Sequence, residues 1–194
     1  MSNVFQQLEL EAFRKGITPR TKESIAWFRK RAGEMHRVNR KTLMKSPMVV
    51  EASKPKPGRM GLFMYDPKHK DTLPYYDTFP LIVFVGPAPG GFHGLNLHYL
   101  PPIARAKLLD GLMSTMNNKK YDETTKFKIS YNMLKSTQKV AAFAPCFKHY
   151  LTNHVRSRFS LIEAPEWEIA TFLPLAQWKG ASQTQIWRES RKKY

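Results

Sequence analysis

The sequence predicts an α+β fold, a small antiparallel β-sheet or barrel-like core flanked by basic helices. Two observations carry this. The charge is segregated: residues 1–60 hold fourteen Lys and Arg against five acids, residues 61–110 hold four of each, and residues 111–194 hold fourteen against six. The neutral centre is dense in aromatics, Pro and Gly and contains short apolar runs, whereas the flanks space their apolar residues as helices do. With 194 residues the chain is long enough for one domain with a buried core. The expected division is a basic helical segment over 1–57 and an α+β core over 58–194 that ends in a basic helix, the two forming a single compact unit.

From the start, Val4, Phe5, Leu8, Ala12 and Phe13 have amphipathic helical spacing, and Gly16 is a natural stop. A second helix is expected with Thr18 as N-cap and Pro19 at the first helical position. Its apolar residues are Ile25, Trp27 and Phe28, and Arg29, Lys30 and Arg31 near its end suit the helix dipole. Residues 46–59 hold three prolines and read as an extended connector. MGLFMYD (60–66), PLIVFVG (80–86) and FHGLNLHYL (92–100) read as strands, the last two joined as a hairpin by the turn residues GPAPGG. Tyr76 and Phe84 are expected to be core rings of this centre.

Pro101 and Pro102 end the third run, and Ile103, Leu108, Leu109, Leu112 and Met116 mark a following helix. Residues 117–126 form a polar loop, and 127–136 read as helical with a mixed signal. A further helix is expected after Pro145, through KHYLTNHVRS, then a strand at SRFSLIEA and a terminal helix capped by Ser182. WEIATFLPLAQW mixes apolar and turn residues.

The formal net charge is +17 and the pI about 10.1. Solubility needs a charge of only ~2–8 in a small domain, so a field this strong implies a polyanionic partner such as nucleic acid or an anionic membrane surface. The single cysteine, Cys146, excludes an internal disulfide and a cysteine-based zinc site, and fits a reducing cytoplasm. No apolar run approaches a membrane span, and acids interrupt the N-terminal apolar residues where a signal peptide needs a continuous core. A soluble, unexported chain with no membrane partner is expected.

Catalytic chemistry finds little support. His93 and His98 have opposite parity on one expected strand, and His149 and His154 are not at helical ligand spacing; with His36 and His69 they read as packing or surface residues rather than metal ligands. Asp66-Pro67-Lys68 matches half of a metal-dependent nuclease site, in which acids hold the ion and the lysine steadies the phosphate. Matches of three residues arise often by chance. GPAPGG lacks the lysine and helix of a phosphate cradle. Cys146 at an expected helix start admits a lowered pKa, but a lone cysteine is more commonly a small buried residue. No catalytic residue, metal or cofactor is assigned.

Cations interleaved with aromatics remain. WFRKR supplies Arg29, Lys30 and Arg31, and HRVNRK supplies Arg37, Arg40 and Lys41. KHYLTNHVRSR supplies Lys148, Arg156 and Arg158, and IWRESRKKY supplies Arg188, Arg191, Lys192 and Lys193. These are the candidate phosphate contacts, with Trp27 and Trp187 as candidate stacking rings on exposed bases. The plainer reading turns the rings to the core and leaves only the cations in solvent. Nothing has the form of a base-reading helix, so binding is expected to be independent of sequence.

The string FMYDPKHKDTLPYYDTFPLIVFVG, followed by GGFHGLNLHYLPP and RAKLLDGL, resembles the DNA end-protector proteins of T-even-like tailed bacteriophages. PCFKHYL, WEIATFLPLAQWKGAS and IWRESR continue the similarity, which spans roughly residues 60–190. The first sixty residues match only in being helical and basic, and the chain is short for that family. The resemblance implies a minor virion protein of the head or neck region, present in the host cytoplasm during assembly and after injection. It would bind the ends of the packaged linear double-stranded DNA, shield them from host exonuclease, and help complete the head beside other head, neck or portal proteins. Two alternatives stand beside it. One is a structural neck, connector or tail component contacting DNA or an acidic ring; the other is a head-associated nuclease.

Overall fold

The computed structural model describes residues 4–18, 21–46, 49–116, 120 and 123–192, with backbone alone at 116, 123–129 and 191. It is an α+β fold. The N-terminal flank forms α1 (Val4–Arg14), α2 (Lys22–Gly33) and the short α3 (Arg40–Met44). The cap of α2 is Thr21 rather than Thr18: Thr21 Oγ1 accepts the Ser24 N–H at 3.1 Å, and Ser24 Oγ accepts the Thr21 N–H at 3.0 Å. This reciprocal box satisfies two orphan donors at once. Pro19 lies outside the described residues.

Among the described residues, eight strands follow in chain order: β1 (Val49–Ala52), β2 (Met60–Leu62), β3 (Tyr76–Asp77), β4 (Leu81–Ala88), β5 (Gly91–Asn96), β6 (Phe147–Leu151), β7 (Phe159–Ile162) and β8 (Trp178–Lys179). Six of them pair antiparallel in the order β1-β7-β2-β4-β5-β6, while β3 and β8 form a separate ribbon. The sheet is open, ending at β1 and β6, so the barrel-like alternative gives way to a plain sheet. The predicted β4–β5 hairpin is present, with Gly90 at φ +69° in its turn. Gly91 must also be glycine, because a Cβ there would lie 1.8 Å from the Tyr150 carbonyl oxygen on β6.

Three sequence expectations change. The connector 46–59 contains β1, whose Val49 is buried opposite Ile162. The helix expected after Pro145 is instead β6, followed by a 3-10 turn at Thr152–His154. Phe147, Tyr150 and Leu151 imitate helical spacing, but pairing with β5 and burial of Tyr150 among aromatic rings decide for strand. The third central run stops being strand at Asn96, whose Oδ1 accepts the His98 N–H at 3.0 Å and starts a 3-10 turn at Leu97–Tyr99. His93 and His98 therefore do not share a strand.

Alternation along β4 builds two cores. Leu81, Val83 and Val85 face the larger core, completed by α1, α4 (Pro102–Met116), α6 (Trp167–Phe172) and the end of α5 (Glu123–Ser136). Ile82 and Phe84 face an aromatic core of Phe63, Phe92, Tyr150 and Phe159. Phe84 is buried as expected, whereas Tyr76 is only half-buried and its neighbour Tyr75 points inward. The last helix, α7 (Gln183–Lys192), starts where predicted, with the Gln185 N–H donating to Ser182 Oγ at 3.3 Å.

Glu166 ties the fold to pH. It is buried, its Oε2 has no hydrogen-bond partner, and burial, aided by the charge of Glu9 on α1, pushes its carboxyl up to about 7. Because the folded state holds this proton more tightly than the unfolded chain, the group's contribution is full below the ordinary carboxylate range and is lost as pH rises through about 7. Glu166→Gln is therefore expected to stabilise the protein at pH 8 and to have little effect at pH 4, read as urea midpoints. A larger gain at pH 4 than at pH 8 would contradict this.

Candidate nucleic-acid interface

A buried polar network holds the centre of the molecule. Asp77, on β3, is 4% exposed; its Oδ1 accepts the N–H groups of Phe79 at 3.0 Å and Gln177 at 3.1 Å. Its Oδ2 accepts from Asn96 Nδ2 at 3.3 Å and from His98 Nδ1 at 2.6 Å. Burial works to raise the Asp77 carboxyl, but His98 and the two backbone N–H groups outweigh it and hold it below the ordinary range. Burial lowers the His98 pKa, and Nδ1, 2.6 Å from Asp77 Oδ2, is the ring nitrogen placed to donate to the carboxylate. Asn96 Nδ2 also donates to Tyr150 Oη at 3.1 Å, linking the network to the aromatic core.

Two clefts flank the Leu97–Tyr99 turn, with His98 facing one and Tyr99 the other. The first, of about 600 Å³, lies between α2, the start of α4 and α7, and is lined by Arg29, Lys30, Arg105 and Trp187. The second, of about 420 Å³, is walled by Tyr65, Tyr75, Tyr76, Tyr99 and Tyr150. Lys68 and His69 border it from the loop before β3, and Lys148 and His149 from β6. Lys148 Nζ lies 3.9 Å from the centre of the Tyr99 ring, a cation–π contact.

The structure separates the thirteen candidate cations by environment. Arg29 donates to Glu168 at 2.7 Å and to Asp110 at 2.6 Å; burial opposes its charge, and the two carboxylates outweigh burial and raise its pKa. Arg31 pairs with Glu11 at 3.0 Å, and Arg40 donates to the carbonyls of Leu175 at 2.9 Å and Ala176 at 3.1 Å. Arg29 thus joins α2 to α4 and α6, Arg31 joins α2 to α1, and Arg40 ties α3 to the segment after α6. Lys30, Arg37, Lys41, Arg188 and Lys192 are exposed, as are Arg156, 3.5 Å from Asp66, and Arg158, 3.4 Å from Glu51. The Arg191 side chain and Lys193 lie outside the described residues.

The two candidate stacking rings are both in use within the fold. Trp27 packs edge-on against Phe28 at 5.1 Å beneath Lys15. Trp187 donates from Nε1 to the His98 carbonyl at 2.9 Å. Sequence reasoning missed the tyrosine cleft, although the aromatic density of LPYYD signalled it; what was hidden is that Tyr65, Tyr99 and β6 meet there. Cys146 is buried, and burial pushes its thiol up to about 12. Asp66 of the nuclease-like triplet bonds to Lys70 at 3.1 Å. Among the described residues no three His, Cys, Asp or Glu gather to hold a metal ion, and no helix is long and apolar enough to cross a membrane.

Fold and site together define a strongly basic α+β protein, with Arg29, Arg31 and Arg40 joining its helical elements and Lys30, Arg37, Lys41, Arg156, Arg158, Arg188 and Lys192 exposed, suited to a polyanion. The chain belongs to the family described as Phage T4 terminal DNA protecting protein, which matches it over residues 5–191. The match takes in the N-terminal helices that the motif resemblance, beginning near residue 60, left out. Neither the curated proteins nor the solved structures give a match to this chain.

Proposed function

We propose that the protein binds the ends of linear double-stranded phage DNA without regard to sequence and shields them from exonuclease. Protection needs no chemistry, since occupying the terminus excludes an enzyme that must load there. In this reading the protein works in the head or neck of the virion, beside head, neck or portal proteins, and contributes to head completion. The observation that carries it is the charge surplus. If every one of the 15 carboxylates were to neutralise one cation, 17 of the 32 Lys and Arg would still carry charge with no carboxylate to balance it. Lys30, Arg37, Lys41, Lys148, Arg156, Arg158, Arg188 and Lys192 are the phosphate contacts we assign, and Arg29, Arg31 and Arg40 hold α2 and α3, which present Lys30 and Lys41.

With about five to eight phosphates neutralised, the logarithm of affinity is expected to fall against the logarithm of salt concentration with a slope of roughly −5 to −7. Purified protein mixed with linear duplex is expected to slow an end-loading exonuclease at one or a few molecules per end. A circular duplex of the same sequence should gain far less protection against an endonuclease. A flat salt response, or equal protection of circular and linear DNA, would refute end binding.

A further inference from the structure

We propose that the tyrosine-walled cleft beside β6 seats a single unpaired terminal nucleotide, and that this contact is the source of end preference. The inference rests on the end-binding reading above and supplies what that reading lacks, because backbone charge binds internal and terminal phosphates alike. The walls are aromatic and the rim is cationic, the combination that stacks a base and neutralises its phosphate. Tyr76, half-buried on β3, and Tyr99, on the 3-10 turn, offer rings; Lys68, from the loop before β3, and Lys148, from β6, offer charge.

Size and the polar floor narrow the occupant. A volume of about 420 Å³ suits one nucleotide and not a base pair with its stacked neighbours. A nucleotide inside a duplex would have to be unpaired and flipped to enter, whereas one at an overhang or frayed end is already available. The floor is Asp77 and Asn96, and their side-chain polar atoms are engaged by each other and by neighbouring groups of the fold. Both Asp77 oxygens accept two hydrogen bonds each, Asn96 Nδ2 serves Asp77 and Tyr150, and Asn96 Oδ1 takes the His98 N–H. Such a floor supports a stacked base without reading its edge, which fits a protein that must accept any terminal base.

The test compares three duplexes of one sequence: blunt, carrying a one-nucleotide overhang, and closed by hairpins at both ends. The overhang carries 2-aminopurine, whose fluorescence is quenched on stacking. The overhang duplex is expected to bind about tenfold more tightly than the closed one, the equivalent of ~1.4 kcal/mol, with quenching on binding. The blunt duplex should fall between them. Tyr76→Ala and Lys68→Gln are each expected to bring the overhang duplex towards the closed one, while Arg188→Gln, outside the cleft, weakens all three alike. Lys68 is exposed in a loop, so its variant decides the matter if Tyr76→Ala does not fold. Absence of quenching, or an undiminished overhang preference in the folded variants, overturns the cleft assignment; if exonuclease protection persists, end binding itself stands. No measurable affinity for any of the three duplexes overturns both.

Discussion

Phe63→Ala is expected to destabilise the protein by about 3–5 kcal/mol, the cost of removing a phenyl ring from a packed core. Phe63 is 0% exposed, and its ring lies 5.2 Å from Tyr150, 5.3 Å from Phe159, 5.7 Å from Phe92 and 6.5 Å from Phe84. Those partners come from β4, β5, β6 and β7, so one ring joins four strands of the sheet. Loss of the ring leaves a cavity that strand backbones cannot close without breaking their ladder. Chemical denaturation of folded variant and parent at pH 7 measures the difference. A loss below about 1 kcal/mol would mean that the aromatic face collapses freely around the gap.

Asp77→Ala is expected to cost a similar amount, about 3–5 kcal/mol, for a different reason. It strips the acceptor from four donors at once: the N–H groups of Phe79 and Gln177, Asn96 Nδ2 and His98 Nδ1. Buried donors left without partners are expensive, and the positive charge of buried Arg105 loses an attractive neighbour. The effect carries a pH signature. Asp77 is held below its ordinary value, so its contribution is present above the unfolded carboxylate pKa of ~3.9 and is lost as pH falls through the lower folded value. The gap between parent and variant is therefore expected to be full at pH 7 and to shrink below about pH 4. A gap that is constant from pH 7 to pH 3 would show that Asp77 acts by packing alone.

Charge segregation, the β4–β5 hairpin, the burial of Phe84 and the start of α7 at Ser182 were all legible in the sequence. Each depends on local chemistry: turn residues, caps and period-two alternation act within a few residues. The strand at Phe147–Leu151 was not legible, because its apolar spacing serves a helix equally well and only β5 chooses between them. The roles of the cations were equally hidden. Arg29 and Lys30 are adjacent and chemically alike, yet one is locked to Glu168 and Asp110 and the other is exposed.

The sequence by itself determined the net charge, the α+β class and the concentration of aromatics in a neutral centre, because these are sums and short-range patterns. Only the tertiary structure decided which arginines hold the fold and which face outward. It also brought Tyr65, Tyr75, Tyr76, Tyr99 and Tyr150 around one cleft from segments far apart in the chain. The physical reason is that ion pairing and ring packing depend on distance in space, and here the partners lie up to 139 residues apart, as Arg29 and Glu168 do. No local pattern encodes such a separation; it is fixed when the sheet pairs and the helices close over it.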